Sequence, residues 1–495
     1  MTVPTTRSSV HRTLVCLAVG GVLAGGRVLG SQEPPTPPQA TAEPVAARIA
    51  RVESGLLPPI LLRGTEPERM SLAERMAHYG AKGLSVAVID EFELAWARGY
   101  GVVRAGSKEP VTPETLFQAG SISKPVAALV ALRLVAAGRL ALDDPVNDHL
   151  AAWKLPDSAA AGSEPVRVRH LLTHSAGLAP FAFPAVPLQD PRPSLAELLG
   201  GRDTPGVTRI EPPGRRFRYS NPAFGVLQQL LTDVDGRPFA RLAREEVFDP
   251  LGMASSSFEA VLPAAMLAQA SHGHDGEGEP LPGKGLVVPA AVGGLWTTPT
   301  DLCRFLLAVF EASRTDGGFL PRTLAAGMVT RQLENRGLGT EIFAEGAARR
   351  TSHGGGLPGF VAFMVGYPEL GRGAVVMVNS PGWDLMHEVL RAVAWEYAWP
   401  GYVVEHEVVP MAAGDFARFV GRYEFEVRPE VQPEITTASG RFFYGRWEML
   451  PVSDRMFVIP DLGDEIEFVL GDGERATAFL YGQAGTRKIR ARRVD

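Results

Sequence analysis

The rhythm of apolar and polar residues changes several times along this chain. After Gly83 the run LSVAVID, a short polar turn and ELAWARGYGVV make two β-type segments, which predicts a hairpin. Residues 67–79 (PERMSLAERMAHY) have helical spacing. In residues 121–137, Val126, Leu129, Val130, Leu132, Leu134 and Val135 predict a helix with most of its sides buried, and Gly138 supplies the stop. Further helical patterns cover residues 224–232, 239–247 and 300–310. Strands return in VAFMVGYP and GAVVMVNS, a second hairpin around the turn at 369–373, and residues 385–399 read as a closing helix. Strands at both ends with helices between them predict an α+β fold. It is an antiparallel sheet flanked by helices, closed by pairing early and late strands, with a helical lobe attached.

Beyond residue 405 the texture changes again. GRYEFEV, GRFFYGR, MFVIP and ATAFLYG alternate with polar turns, as in a small all-β domain. Near the start, SQEPPTPPQATAEPV is Pro-rich and polar and reads as an extended linker. The expected organisation is a leader over 1–30, a linker over 31–60, a main domain over 61–403 and a small β domain over 404–495.

Bulk properties exclude some function classes. With 45% apolar and 21% charged residues and a net charge of -6, the chain has ordinary globular composition and no basic surface for nucleic acid. Arg7 and Arg12 precede a small-residue apolar stretch over 14–26. That is an export leader, too short and Gly-rich for a stable membrane span, so the mature product is expected to be periplasmic or secreted. Cys16 would leave with the leader. Cys303 then has no partner, and its apolar helical setting predicts an inert buried thiol.

Basic residues are mostly Arg: of 49, only Lys82, Lys108, Lys124, Lys154, Lys284 and Lys488 are lysine. One of them stands in Gly120-Ser121-Ile122-Ser123-Lys124-Pro125. Ser and Lys three apart on a helix share a face. A hydroxyl needs a base to become a nucleophile, and a lysine kept neutral by burial can serve where arginine cannot. Ser-x-x-Lys alone is a weak motif, equally compatible with an exposed lysine in a helix's first turn.

The wider stretch TLFQAGSISK closely resembles the nucleophile segment of class C β-lactamases and their penicillin-binding, D-aminopeptidase and esterase relatives. Tyr219-Ser220-Asn221 matches that family's Tyr-x-Asn, and His353-Gly354-Gly355 its Lys-Thr-Gly position in a His-x-Gly form. The stretches LALDDPV, VRHLLTHSAGL, FDPLGM and GGLWTTPTDLCRFL also resemble the family, over roughly residues 65–400.

The resemblance implies a serine hydrolase acting on an ester, amide, peptide or β-lactam through an acyl-enzyme, with no cofactor and no metal. Ser121 would be the nucleophile. Lys124, or Tyr219 as phenolate beside Lys124 with His353 as a second cation, would take its proton, and Tyr219 would protonate the leaving group. Asn221 would bind the substrate amide and orient the lysine. Gly355 and Gly356 would let the strand approach the substrate, with the N–H groups of Ser121 and Gly356 receiving the oxyanion. Histidine at 353 is charged only part of the time near neutral pH, which favours esters or D-amino-acid amides over β-lactams.

Three other readings stay open: a transpeptidase or carboxypeptidase that deacylates slowly, a non-catalytic binding protein of the same fold, and a metallohydrolase. For the last, His170-x-x-x-His174 has ligand spacing but lacks the Glu of His-Glu-x-x-His. His272, His274 and Asp275 fall in a Gly-rich polar stretch that reads as a solvated loop.

Overall fold

The structure is a computed structural model that describes residues 44–187, 190–426, 428–473, 475–482 and 488–495. Six antiparallel strands make the central sheet: β1 (Gly83–Asp90), β2 (Glu93–Gly101), β3 (Glu341–Phe343), β4 (Arg350–Leu357), β5 (Phe360–Tyr367) and β6 (Arg372–Val378). Their order is β2-β1-β6-β5-β4-β3. The early hairpin joins the late one through β1 and β6, with Val86 opposite Val376.

Both faces of this sheet are covered, which explains why β1 and β6 read as nearly unbroken apolar runs. Ala87, Ile89, Val375 and Met377 enter the core beneath α3 (Ser123–Ala136), α4 (Asn221–Asp235) and α5 (Pro299–Arg314). Leu84, Val86, Val88, Val376 and Val378 enter the opposite core with α1 (Val45–Ser54), α2 (Leu72–His78) and α6 (Trp383–Glu396). Helix α3 is buried on nearly all sides, and the chain leaves it through Gly138 at φ +69°. Cys303 lies buried in α5, where desolvation raises its thiol pKa.

Part of the span 31–60 expected to be linker lies outside the described residues, and part of the rest is helical. Residues 45–54 are α1, whose Ile49 and Val52 pack in the second core, so apolar spacing overrides the Pro-rich context. The leader expected over 1–30 lies outside the described residues. No helix among the described residues is long and apolar enough to cross a membrane.

The C-terminal segment closes into an eight-stranded barrel. Its strands are β7 (Gly421–Phe425), β8 (Glu434–Ala438), β9 (Arg441–Tyr444), β10 (Trp447–Pro451), β11 (Met456–Ile459), β12 (Asp464–Leu470), β13 (Ala476–Gly482) and β14 (Ile489–Arg493). Phe416, Phe419, Tyr423, Phe457, Phe468 and Phe479 fill its interior. In the stretch expected to be a solvated loop, His272 and Asp275 are part-exposed, but His274 is fully buried. Its ring accepts the Ala105 N–H and reaches the Asn379 carbonyl at 2.7 Å, a carbonyl that also accepts the His274 backbone N–H.

An ion pair ties α2 to α6. Arg75 donates to Glu388 at 2.6 and 2.8 Å, Tyr79 donates to the same carboxylate, and Glu388 is almost wholly buried. Removing the cation strands that carboxylate. Arg75→Ala is expected to lower stability by about 3 kcal/mol, read from the urea midpoint at constant m.

Candidate active site

The chain enters the site from the short strand Phe117–Gln118, turns at Gly120 and passes Ser121 into α3. Gly120 has φ +52°, and a Cβ there would lie 2.6 Å from the Gly356 nitrogen, so both conformation and space require glycine. The turn is pinned from outside. Ala119 N–H donates to the Leu295 carbonyl, Ser123 Oγ donates to the Gly120 carbonyl at 2.7 Å, and Leu295 N–H donates to Ser123 Oγ. Ser123, the other hydroxyl in the motif, is thus a fastening of the turn.

Ser121 is half-buried at the surface of the site, and Lys124, one helical turn on, has no exposed area. Lys124 Nζ lies 2.9 Å from Ser121 Oγ and donates to the Val292 carbonyl at 2.8 Å. Its other neighbours are ring faces, with the Tyr219 centroid at 5.1 Å and the Phe224 centroid at 5.9 Å. Burial without a carboxylate partner pushes its pKa down to about 7 from the ordinary 10.5.

Tyr219 arrives from a loop 98 residues away and donates its hydroxyl to Ser121 Oγ at 2.9 Å. Desolvation raises its pKa to about 12, so it is a phenol and not a phenolate at neutral pH. His174 places it: its carbonyl accepts the Arg218 N–H, its Nδ1 accepts the Ser220 N–H, and its ring lies 4.4 Å from the Tyr219 ring. To do this, His174 adopts φ +53°, an uncommon conformation for a side-chain-bearing residue. The imidazole is buried and held well below its ordinary pKa, mainly by desolvation.

The other predicted residues fall as follows. Asn221 opens α4, but Lys124 gives its second hydrogen bond to the Val292 carbonyl, and the buried Asn221 Oδ1 has no partner. The lysine-orienting part expected of Asn221 therefore passes to a backbone carbonyl. Strand β4 brings Gly355 and Gly356 against the nucleophile turn. A Cβ on Gly355 would overlap the Ala119 carbonyl oxygen and stand 2.9 Å from the Ser121 nitrogen. On the other side of the strand, the Trp383 ring would meet a Cβ on Gly356 at 3.0 Å.

His353 is buried on β4, and burial pushes its pKa down to about 4. Its Nδ1 meets the Gly354 carbonyl at 2.7 Å, which fixes the proton there and leaves Nε2 as an acceptor. Desolvation favours the neutral imidazole, against the part-time positive charge expected of His353. The nearby Arg336 guanidinium is a permanent charge, but Glu341 pairs with it at 2.5 Å and the Phe217 ring lies beneath it at 3.7 Å.

His170 and His174 do not converge as a ligand pair. His170 Nδ1 accepts the Arg167 N–H, while His174 faces Tyr219. Among the described residues there is no group of three or more His, Cys, Asp or Glu arranged to hold a metal. Sequence reasoning missed Val292, Ser123 and His174. A carbonyl acceptor carries no side-chain signature, and the positive φ of His174 has none either.

The arrangement has relatives. Esterase EstB of Burkholderia gladioli is 32% identical, over 47% of this chain and 66% of its own length, slightly under two thirds. A beta-lactamase of Pseudomonas fluorescens is 28% identical, over 53% of this chain and 69% of its own. The octameric penicillin-binding protein homologue from Pyrococcus abyssi shares the fold, with a TM-score of 0.56, 22% identity, and coverage of 85% of this chain and 98% of that one. The beta-lactamase family profile matches residues 71–398, two thirds of the chain, with Ser121, Lys124, Tyr219 and His353 all inside the match, and the chain belongs to that family.

Proposed function

We propose that the protein is an exported serine hydrolase that cleaves esters or amides through an acyl-enzyme on Ser121. The observation that carries this reading is a fully buried amine 2.9 Å from a half-exposed hydroxyl, with its pKa brought to about 7. Export rests on the Arg-flanked apolar leader at the start of the sequence.

In this reading neutral Lys124 gives one N–H to the Val292 carbonyl and turns its lone pair to the Ser121 hydroxyl. Oγ attacks the acyl carbon as its proton moves to Nζ. The carbonyl oxygen, now negative, is received by the N–H groups of Ser121 and Gly356. The bond to the leaving group breaks, and Tyr219, a phenol at neutral pH, supplies its proton; the proton on Nζ makes good that loss. Water then attacks the acyl carbon, releasing the acid and restoring the hydroxyl. Asn221 Oδ1, buried and unpartnered, is suited to accept a substrate N–H. Neutral His353 offers an acceptor in place of a cation, and Arg336 is already paired, so substrates lacking a carboxylate beside the scissile bond are favoured over classical β-lactams.

Assayed on p-nitrophenyl acetate, D-aminoacyl p-nitroanilides and a chromogenic cephalosporin, the protein should turn over the ester or the amide faster than the cephalosporin. Ser121→Ala should lose about 10³-fold or more in kcat on every substrate. Retention of activity by that variant ends the reading.

The base must be uncharged, so kcat/KM should rise with pH through about 7 and then hold level. With Tyr219 a phenol up to about 12, no fall should appear below pH 10. A bell centred on neutral pH contradicts this assignment of base and acid.

The same burial costs stability. Unfolded, Lys124 titrates at 10.5; folded, at about 7, so between those values the unfolded chain binds more protons and stability rises with pH. Lys124→Met should therefore be inactive yet more stable. Its gain should be about 2 kcal/mol larger at pH 7 than at pH 9 in paired denaturation curves.

A further inference from the structure

Tyr219 reaches Ser121 from an irregular loop, and a loop side chain keeps one position only where the scaffold around it imposes one. His174 is one such fixture. A second acts two residues before the tyrosine, at Phe217. Its N–H donates to the Glu334 carboxylate at 2.9 Å, and the Arg336 guanidinium lies over its ring, 3.7 Å from the centroid. The same ring meets His174 edge to face, with centroids 6.1 Å apart. Arg336, Phe217, His174 and Tyr219 therefore form one file of contacts that ends at the Ser121 hydroxyl.

The turn bearing Glu334 and Arg336 is itself braced. Gln332 N–H donates to the Arg336 carbonyl at 2.7 Å, and Arg336 N–H donates to the Leu333 carbonyl at 2.9 Å. Glu334 sits at φ +50°, a conformation that costs free energy in a residue with a side chain and persists where its surroundings impose it. Arg336 is buried, and its Nη1 is tied to Glu341 at 2.5 Å. Three residues on, Gly339 N–H donates to the Leu172 carbonyl, two residues before His174. A Cβ on Gly339 would stand 2.3 Å from Ala128 Cβ on α3. The turn thus rests on the helix that carries Lys124 and on the segment that carries His174.

We propose that Phe217 and Arg336 are positioning residues for the general acid, holding the Tyr219 hydroxyl at hydrogen-bond distance from Ser121 Oγ. This inference rests on the hydrolase reading above, in which Tyr219 gives its proton to the leaving group. A smaller side chain at 217 opens space beside His174, and the tyrosine stacked on that imidazole shifts with it. A displacement of about 1 Å can cost about 10²-fold in rate. The loss falls where the proton is needed. p-Nitrophenolate departs as an anion, whereas an alkoxide leaves only as it is protonated.

The test is the ratio of kcat/KM on p-nitrophenyl acetate to that on ethyl acetate, with circular dichroism melts to establish folding. It is measured for the full chain, Tyr219→Phe, Phe217→Leu, Arg336→Lys and the double variant Arg336→Met, Glu341→Gln, which leaves no carboxylate stranded. Tyr219→Phe should raise the ratio about 10²-fold. Phe217→Leu and the double variant should each raise it about tenfold, through loss on ethyl acetate. Arg336→Lys, which keeps a cation over the ring, should stay within about twofold of wild type. A ratio raised by Tyr219→Phe but unmoved in folded Phe217→Leu and the folded double variant overturns the inference and leaves the hydrolase reading intact. A ratio unmoved by Tyr219→Phe overturns it through the acid it serves. The position is also read without catalysis. A crystal structure of Phe217→Leu or of the double variant with the Tyr219 hydroxyl still 2.9 Å from Ser121 Oγ overturns the inference whatever the rates. Should neither ester be turned over, that structure decides, and a displaced tyrosine sustains the positioning. Should Ser121→Ala retain hydrolysis, the hydrolase reading falls alone, and the same structure decides the positioning.

Discussion

A primary amine shut off from water with no anion beside it is costly to keep charged, and the architecture around Ser121 is organised by that cost. Helix α3 is buried nearly throughout, so its first turn lies inside the molecule and not on its surface. Lys124 has one polar fixture, the Val292 carbonyl, besides the hydroxyl it addresses, and neither carries a charge that would hold its proton. An arginine would remain charged in the same place. A nearby carboxylate would restore the ammonium, and the site has none in contact with Nζ.

That constraint explains why the site is fastened by backbone. Leu295 grips the nucleophile turn, Val292 grips the lysine and His174 grips the peptide units on either side of Tyr219. Main-chain carbonyls and amides satisfy polar atoms without adding net charge, so they can surround a neutral amine without retitrating it. His174 and His353 obey the same rule. Each is buried, neutral and committed through one ring nitrogen to the main chain. Glycine on β4 completes the pattern by letting two strands of backbone lie closer than any side chain allows.

The sheet was legible in the sequence because burial on both faces writes an unbroken apolar run, as in GLSVAVID and GAVVMV. Helix α3 was legible for the same reason, and Ser121, Lys124 and Tyr219 because side chains carried their motif. Four barrel strands escaped notice. Glu434–Ala438 and Ile489–Arg493, for example, present Glu, Thr and Arg outward and single apolar residues inward, too little contrast for so short a span. The charge state of His353 was also beyond reach, because it depends on how completely the folded chain excludes water. His274 was misread for a related reason: a Gly-rich polar neighbourhood says nothing about distant backbone groups, here those of Ala105 and Asn379, that the fold brings to the ring.

The C-terminal barrel bonds each of its strands to two neighbours, β7 to β14 included. A closed cylinder has no rim of idle ladder groups to offer, and the segment leading into it is held by a main-chain link, the Val409 N–H to the Pro451 carbonyl. A module of that kind can be gained, lost or reshaped during descent with little disturbance to the sheet beside it. Variation among related chains should therefore be freer in this segment than in the strands that frame the serine.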